Sequence, residues 1–247
     1  MRYFIGNWKM FGVPQSIGIL NKINHFRSRD KNKNKYRVII TPPYTLIESF
    51  AKHFKNKKIM IGSQNCYQKD GFSSNTAAIS PFMLRSVGAR YTLVGHSDNR
   101  SEGDTNFLLK EKVKFALKNN LKVVFCIGEN KSEKNKNKTF NVLKNQLIKV
   151  LEKKFDRRNI IVAYEPIWSI GTGKLPSKSE LMLTTNYIKK ILRNIFMTDP
   201  PKVLYGGSVD ESSVNFFKDI EIIDGFLIGG ASKSHKKFID IIKNYYR

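Results

Sequence analysis

Cysteine is scarce in this 247-residue sequence, since Cys66 and Cys126 are its only two and fall at the ends of separate predicted strands. Two isolated thiols argue against a disulfide framework and give no support for a cysteine zinc site, so we expect both to be buried. No run approaches the roughly 18 apolar residues that a membrane-spanning helix requires. The N-terminal apolar run ends at Asn7 and Lys9 and is too short for the core of a signal peptide. We therefore expect a cytoplasmic protein with no membrane partner.

Acidic residues are also few, with 20 Asp and Glu against 44 Lys and Arg, which gives a formal net charge of +24. Such a charge can indicate a nucleic-acid partner. Much of the excess lies in two Lys/Asn-rich tracts, residues 27–35 and 131–138, which contain no interleaved aromatic residues. We expect these tracts to be solvated loops, and we do not expect specific nucleic-acid binding. The positive field would instead attract small anionic substrates, and salt would weaken that attraction.

Eight short strand-like runs recur along the chain, and helix-like segments lie between them. The runs are residues 3–6, 37–40, 58–61, 91–94, 122–127, 160–163, 202–204 and 225–228. Helical spacing of apolar residues is clearest at 107–117, 140–151, 181–196 and 236–245, whereas 81–87 is short and 210–217 is less regular. This alternation, with no break in composition, predicts an α/β protein whose residues 1–247 form a single domain, a closed (β/α)8 barrel. The alternative is a doubly wound open sheet, but residues 6–9 lack its glycine fingerprint.

Residues 163–173 join a buried strand, a carboxylate and a glycine-bearing segment within eleven positions. Pro166 favours an extended exit for Glu165, and Gly171 and Gly173 permit backbone conformations that other residues resist. A carboxylate at the C-terminal end of a parallel strand, followed by such a loop, is typical of a catalytic base beneath a lid. Taken alone, the stretch is equally compatible with a helix-capping glutamate before an ordinary loop.

Other polar residues follow the ends of the remaining strands, and a barrel brings these ends together at one rim. Asn7 and Lys9 follow the first strand, and His96 and Asp98 follow the fourth. Glycine-bearing segments follow the seventh and eighth strands at residues 206–208 and 229–232. We therefore expect a cation, an imidazole, a carboxylate and three glycine-bearing loops on one rim.

Seven segments at strand ends carry a resemblance to a known family: residues 6–10, 64–66, 94–97, 126–129, 163–173, 205–208 and 224–232. Each is a weak signal alone, but together and in this order they resemble the triosephosphate isomerases over essentially the full chain. The resemblance implies a TIM barrel that interconverts dihydroxyacetone phosphate and D-glyceraldehyde 3-phosphate through an enediolate. It also implies a cytoplasmic homodimer of glycolysis that uses no cofactor and no metal ion. A barrel acting on another sugar phosphate and a non-catalytic basic binding protein remain the alternatives.

The resemblance assigns roles to four polar residues at the rim. Glu165 would be the base, and His96 would polarise the carbonyl as a neutral imidazole. Lys9 would place positive charge beside the developing oxyanion, where a fixed charge acts strongly in a low dielectric. Asn7 would orient Lys9 and donate a hydrogen bond to the substrate. The competing interpretations are a structural histidine, a surface lysine and a turn-forming asparagine.

The resemblance also implies a phosphate site made of backbone N–H groups, which glycine allows to come close to an anion. Its members would be Gly171, Ser208, Gly229 and Gly230.

A lid over the base is the third element that the resemblance implies. Ile170 and Leu227 would form an apolar clamp over the carboxylate of Glu165. Glu129 and Trp168 would pair while the lid is open.

Asp98 is the first departure from the family pattern, which has glutamate at this position. We expect its reach to Lys9 to be shorter by about 1.5 Å.

The second departure concerns the dimer contact. Asn99 replaces an arginine, and residues 76–78, Thr-Ala-Ala, replace Thr-Gly-Glu, so an ion pair across the family's interface is missing at both ends. Loss of both partners is milder than leaving one charge buried alone. We therefore expect a retained homodimer in which Thr76 reaches Asn7 of the partner subunit.

The third departure is Pro176. In many relatives a hydrogen bond between this position and Tyr205 latches the lid, but Pro176 has no backbone N–H and cannot form it. A contact between Ser208 and the backbone of Gly173 would carry more of the closure.

Overall fold

The computed structural model describes all residues from 1 to 247 and contains eight strands. They are β1 (Arg2–Asn7), β2 (Tyr36–Thr41), β3 (Ile59–Ser63), β4 (Tyr91–Val94), β5 (Lys122–Ile127), β6 (Ile160–Tyr164), β7 (Lys202–Tyr205) and β8 (Gly225–Ile228). The strands form one closed barrel in chain order, and β8 pairs in parallel with β1 to close it. The (β/α)8 barrel predicted from the sequence is therefore confirmed.

The strands are buried on both faces, as their nearly continuous apolar sequences predict. Ile5 on β1 pairs in register with Ile39 on β2 and with Leu227 on β8, and these side chains belong to the core inside the barrel. Their chain neighbours, such as Phe4 and Val38, point the other way into a larger core beneath the helices. The alternation of side chains along each strand thus produces two separate cores.

Nine α-helices surround or cap the barrel. They are α1 (Ile17–Arg29), α2 (Tyr44–His53), α3 (Pro81–Ser86), α4 (Ser97–Ser101), α5 (Asn106–Lys118), α6 (Lys131–Asn135), α7 (Thr139–Val150), α8 (Lys178–Phe196) and α9 (His235–Tyr246). The four clearest helix predictions correspond to α5, α7, α8 and α9 within three residues at each end. Helices α1 and α2 lie in connections for which the sequence analysis gave no bounds. None of these helices has the length and apolar character needed to cross a membrane.

The prediction of a helix over residues 210–217 is wrong. Only a 3-10 turn forms there, at Ser213–Phe217. The side chain of Asp210 accepts hydrogen bonds from the backbone N–H groups of Ser212 and Ser213, at 2.9 and 2.7 Å. These local bonds compete with the helical pattern, as they commonly do next to aspartate and serine.

The two basic tracts are not simply solvated loops, contrary to the prediction. Arg27 lies at the end of α1, is buried, and donates hydrogen bonds to the carbonyl groups of Lys33 and Tyr36. The second tract begins with the short helix α6, which a capping box between Asn130 and Glu133 stabilises.

Candidate active site

Glu165 directly follows β6 and is hydrogen-bonded to the neighbouring strand β5. Its backbone N–H donates to the carbonyl oxygen of Ile127 on β5 at 2.7 Å. A Cβ atom at Gly128 would lie only 1.7 Å from the carbonyl oxygen of Glu165, so glycine is required for this approach. The side chain is buried at the centre of the C-terminal rim.

Burial governs the ionisation of Glu165. Loss of solvent raises the pKa of its carboxyl group, and the neighbouring His96, Cys126 and Lys9 partly oppose that rise. The Nε2 atom of His96 lies 3.5 Å from Oε1 of Glu165. A buried carboxylate of raised pKa is a stronger base than one in water and is suited to accept a proton from carbon.

Cys126 was expected only to be a buried thiol, and it is buried. It also lies beside Glu165, where burial and the adjacent carboxylate raise its own pKa well above the ordinary range. It is therefore a protonated neighbour of the carboxylate. Its place in the 126–129 segment at the end of β5 was the signal for this contact.

His96 caps α4, and the backbone of that helix orients its ring. The Nδ1 atom accepts a hydrogen bond from the N–H of Asp98 at 3.1 Å. A ring nitrogen that accepts a hydrogen bond carries no proton, so the geometry corresponds to a neutral ring with its proton on Nε2. That N–H is directed to the same space as the carboxylate of Glu165.

Lys9 adopts a left-handed backbone conformation, with φ of 53°, which is uncommon outside glycine. The side-chain Oδ1 of Asn7 accepts the N–H of Lys9 at 3.0 Å, and Gln64 donates to its carbonyl oxygen at 2.8 Å. Such strain persists only where neighbouring contacts enforce it, and it is found at functional sites. Asn7 therefore holds the backbone of Lys9 through this hydrogen bond.

One cavity of about 720 Å³ brings the predicted residues together, and its wall includes Asn7, Lys9, His96 and Glu165. The predicted phosphate-site and clamp residues also line it: Ile170, Gly171, Ser208, Leu227, Gly229 and Gly230. No group of three or more His, Cys, Asp or Glu side chains is arranged to hold a metal ion. Thr76, Asp98, Glu129, Trp168 and Tyr205 lie outside the cavity wall.

Ser208 connects the lid to the loop after β7. Its hydroxyl accepts the N–H of Gly173 at 3.0 Å and donates to the carbonyl oxygen of Ser169 at 2.6 Å. The predicted contact between Ser208 and Gly173 is therefore present. We call this arrangement the latched lid.

Ser169 is a lid residue that the sequence analysis missed. It is fully buried, and its hydroxyl donates to the carbonyl oxygen of Lys174 at 2.5 Å and lies 3.0 Å from the hydroxyl of Tyr205. Tyr205 thus contacts the lid through Ser169 and not through Pro176. A small polar residue between the apolar Trp168 and Ile170 was the available signal.

The pair predicted between Glu129 and Trp168 is present. The indole N–H of Trp168 donates to Oε1 of Glu129 at 2.8 Å in the latched lid. The same oxygen accepts the hydroxyl of Tyr164 at 3.2 Å. The pair therefore coexists with the contact between Ser208 and Gly173.

Known proteins match the chain over nearly its whole length. A family model described as triosephosphate isomerase matches residues 2–245. The chain belongs to this family. The triosephosphate isomerase of Saccharomyces cerevisiae is 36% identical over 248 residues, covering 98% of this chain and 98% of the relative. That of Alkaliphilus oremlandii is 34% identical over 247 residues, covering 96% of each.

A solved triosephosphate isomerase, from Bartonella henselae, has the same fold. It aligns with a TM-score of 0.90 at 30% identity and covers 100% of this chain and 99% of its own. The resemblance to triosephosphate isomerases that seven short segments suggested is therefore confirmed. The open-sheet alternative is excluded by the closed barrel.

The triosephosphate isomerase pattern has glutamate where this chain has Asp98, yet the contact with Lys9 is kept. The Nζ atom of Lys9 lies 3.1 Å from Oδ2 of Asp98. The same oxygen is 3.5 Å from Nδ1 of His96. The shorter carboxylate therefore still joins the two segments, because the local geometry brings it within reach.

Thr76 stands apart from the cavity, on the exposed connection between β3 and α3. The next residue, Ala77, has φ of 65°, the left-handed conformation that favours glycine. The triosephosphate isomerase pattern has glycine there. Ala77 therefore adopts this conformation although it has a Cβ atom.

Proposed function

We propose that the chain catalyses the interconversion of dihydroxyacetone phosphate and D-glyceraldehyde 3-phosphate. One observation carries the proposal, namely that Glu165, His96 and Lys9 face a single cavity with the two buried side chains 3.5 Å apart. A carboxylate, an N–H donor and an ammonium are the groups that proton transfer beside a carbonyl requires.

In the proposed reaction, Glu165 removes a proton from C1 of dihydroxyacetone phosphate. The electron pair of that C–H bond forms the C1–C2 double bond, and the π pair of the C2 carbonyl moves to its oxygen. His96 donates its Nε2 proton to this oxygen and takes one from the neighbouring hydroxyl. Lys9, oriented by Asn7, stabilises the negative charge of the enediolate. Glu165 then returns its proton to C2, which gives the aldehyde with no net change in protons.

The phosphate would bind where Gly171, Ser208, Gly229 and Gly230 line the cavity. The backbone N–H of Ser208 donates to Oγ of Ser169 at 3.3 Å, so it would have to exchange this bond for one to the phosphate. Unsubstituted backbone lets an anion approach these donors closely. Ile170 and Leu227 would cover the carboxylate of Glu165 and keep water away from it. Exclusion of water strengthens the electrostatic interactions within the site and protects the enediolate from side reactions.

We further propose that the chain forms a homodimer through residues 64–80. Phe72 in this loop is 82% exposed and stacks edge-on against Phe82. Met10 is 98% exposed and borders a depression that Phe11 and Tyr44 also line. Exposed apolar side chains beside such a depression are typical of an interface, and Thr76 at the loop tip would enter the partner's depression. Light scattering of the purified chain should give twice the monomer mass.

We also propose that residues 1–247 act as one catalytic domain, because the residues assigned to the site come from the ends of β1, β4, β6, β7 and β8 of the same barrel. A cytoplasmic setting and a role in glycolysis accompany the proposed substrate.

An assay of the purified chain with D-glyceraldehyde 3-phosphate tests the proposal. Wild type should isomerise it, and Glu165→Ala should lower kcat by a factor of about 10² to 10⁴, the usual contribution of a positioned general base. Absence of activity with both triose phosphates, in a folded protein, would overturn the proposal. Activity that survives in Glu165→Ala would overturn the assignment of the base.

A further inference from the structure

A lysine lies against the face of the lid tryptophan. The Nζ atom of Lys134 is 3.6 Å from the centroid of the Trp168 ring, the shortest cation-to-ring distance in the chain. The other such contacts range from 4.9 to 5.8 Å. A cation over an indole face is attracted by the negative charge density of the ring, and tryptophan is the best partner for such a contact.

Lys134 is held in place from two sides. It lies on α6, whose first turn is stabilised by the reciprocal hydrogen bonds of Asn130 and Glu133. Its ammonium also lies 3.4 Å from Oε1 of Glu180 on α8. The side chain is 32% exposed, so the contact with Trp168 is partly removed from solvent. A charge fixed in this way loses less conformational freedom on contacting the ring than a free surface lysine would.

The segment that carries Lys134 also contacts the edge of the Trp168 indole. Glu129, five residues before Lys134, accepts the N–H of Trp168, and its other oxygen is buried without a partner. Lys134 acts on this carboxylate as a nearby positive charge. The connection from β5 to α7 therefore contacts Trp168 at its edge through Glu129 and at its face through Lys134.

Trp168 immediately precedes Ser169, to which the Ser208 latch is bonded. We propose that Lys134 is a positioning residue that stabilises the latched lid by holding the indole of Trp168. This inference rests on the proposed function, because the lid residues Ile170 and Gly171 contact the substrate cavity. Lys134 itself does not line that cavity. It would act only through Trp168.

The inference predicts how substrate and analogue binding respond to the charge. Lys134→Met keeps the length of the side chain and removes the cation. It should lower kcat/KM for D-glyceraldehyde 3-phosphate, and weaken binding of 2-phosphoglycolate, by about threefold to tenfold, which matches a partly exposed cation–ring contact. Lys134→Arg restores a cation and should return both values to within about twofold of wild type.

Two controls separate lid positioning from a general loss of charge. Lys136→Met removes a lysine from the same tract whose side chain contacts nothing on the lid, and it should behave as wild type. Isomerisation of glyceraldehyde, which lacks the phosphate, depends little on lid closure. In Lys134→Met, kcat/KM for glyceraldehyde should therefore fall by less than kcat/KM for the phosphorylated substrate. Equal losses with both substrates, or an equal effect of Lys136→Met, would overturn the inference.

A spectroscopic readout tests the contact without relying on activity. The chain has two tryptophans, Trp8 and Trp168, so protein labelled with 5-fluorotryptophan should give two ¹⁹F resonances, assigned with Trp168→Phe. In folded Lys134→Met, the Trp168 resonance should shift, and more 2-phosphoglycolate should be needed to reach the bound position. An unchanged Trp168 resonance and titration would overturn the inference, whereas an inactive wild type that still binds 2-phosphoglycolate would count only against the proposed function.

Discussion

The Nε2 atom of His96 lies 3.5 Å from Oε1 of Glu165, and the exposed fractions of the two side chains are only 6% and 4%. Two polar side chains share a small volume with almost no water around them. Burial raises the pKa of Glu165, and His96 is the largest of the opposing influences. The pKa of Glu165 therefore lies above that of an ordinary glutamate, and its carboxylate is more basic.

The first prediction concerns the pH dependence of this carboxylate. Because its pKa is raised, Glu165 should become protonated at a pH above the ordinary glutamate pKa of about 4.3, and kcat/KM should fall as it does so. The substrate phosphate also ionises near about pH 6, so the rate profile alone is ambiguous. A ¹³C titration of the side-chain carboxyl groups, with Glu165→Gln to assign the resonance, measures the pKa directly. A midpoint in the ordinary range would contradict the prediction.

The second prediction is that Glu165→Gln stabilises the fold while it inactivates the site. A carboxyl group whose folded pKa is raised contributes stability below its unfolded pKa and loses that contribution as pH rises through the folded pKa. At neutral pH the wild-type charge therefore lowers the free energy of unfolding, and glutamine removes this effect. Urea unfolding should show a higher stability for Glu165→Gln at pH 7, with a smaller difference at acidic pH. Activity should fall by about 10² to 10⁴.

The third prediction concerns Asp98, which stands where the family pattern has glutamate. Asp98→Glu restores the family's longer side chain at a position whose side chain is 57% exposed, so the added methylene meets little resistance. Surface changes of this kind alter free energies by about 0.5 kcal/mol, so kcat should stay within about threefold of wild type or rise. Asp98→Asn removes the charge beside Lys9 and serves as the contrasting variant. A large loss on Asp98→Glu would show that the site has adapted to aspartate.

The sequence was sufficient to predict the barrel and most of the rim. Glu165 and His96 lie far apart in the chain, yet each follows a buried strand, and a closed parallel barrel brings all such positions to one face. The strands themselves were predictable because largely apolar runs of three to six residues recur between amphipathic helices. The barrel topology therefore places the residues that follow the strands in one site.

The contacts that hold the lid were not predictable in the same way. The side chain of Ser169 contacts Tyr205, and that of Lys134 contacts Trp168. The residues of each pair come from separate segments, and no periodicity in the sequence predicts such contacts. Lys134 was assigned to a solvated loop because its tract is rich in Lys and Asn. The capping-box pair at Asn130 and Glu133 was the available sign that the tract begins with a helix.

The fourth prediction tests the latch. Ser208→Ala removes the hydroxyl that accepts from Gly173 and donates to Ser169. Each bond contributes about 1 kcal/mol, so kcat/KM for the phosphorylated substrate should fall by about tenfold to thirtyfold. Tyr205→Phe removes one contact with the lid, at Ser169, and should have a smaller effect of about fivefold. Equal activity of Ser208→Ala and wild type would show that the latch does not limit the reaction.

The fifth prediction concerns the backbone of the loop that we assign to the dimer. Ala77 has φ of 65°, and a residue with a Cβ pays about 1 kcal/mol or more to adopt this region. Ala77→Gly removes that strain, although greater freedom of the unfolded chain offsets part of the gain. We expect the free energy of unfolding to rise by about 0.5 kcal/mol, measured by urea unfolding at one fixed protein concentration, because a dimer's stability depends on concentration. Ala78→Gly is the matched control, since Ala78 has no positive φ and should lose stability. A loss in Ala77→Gly equal to that in Ala78→Gly would contradict the prediction.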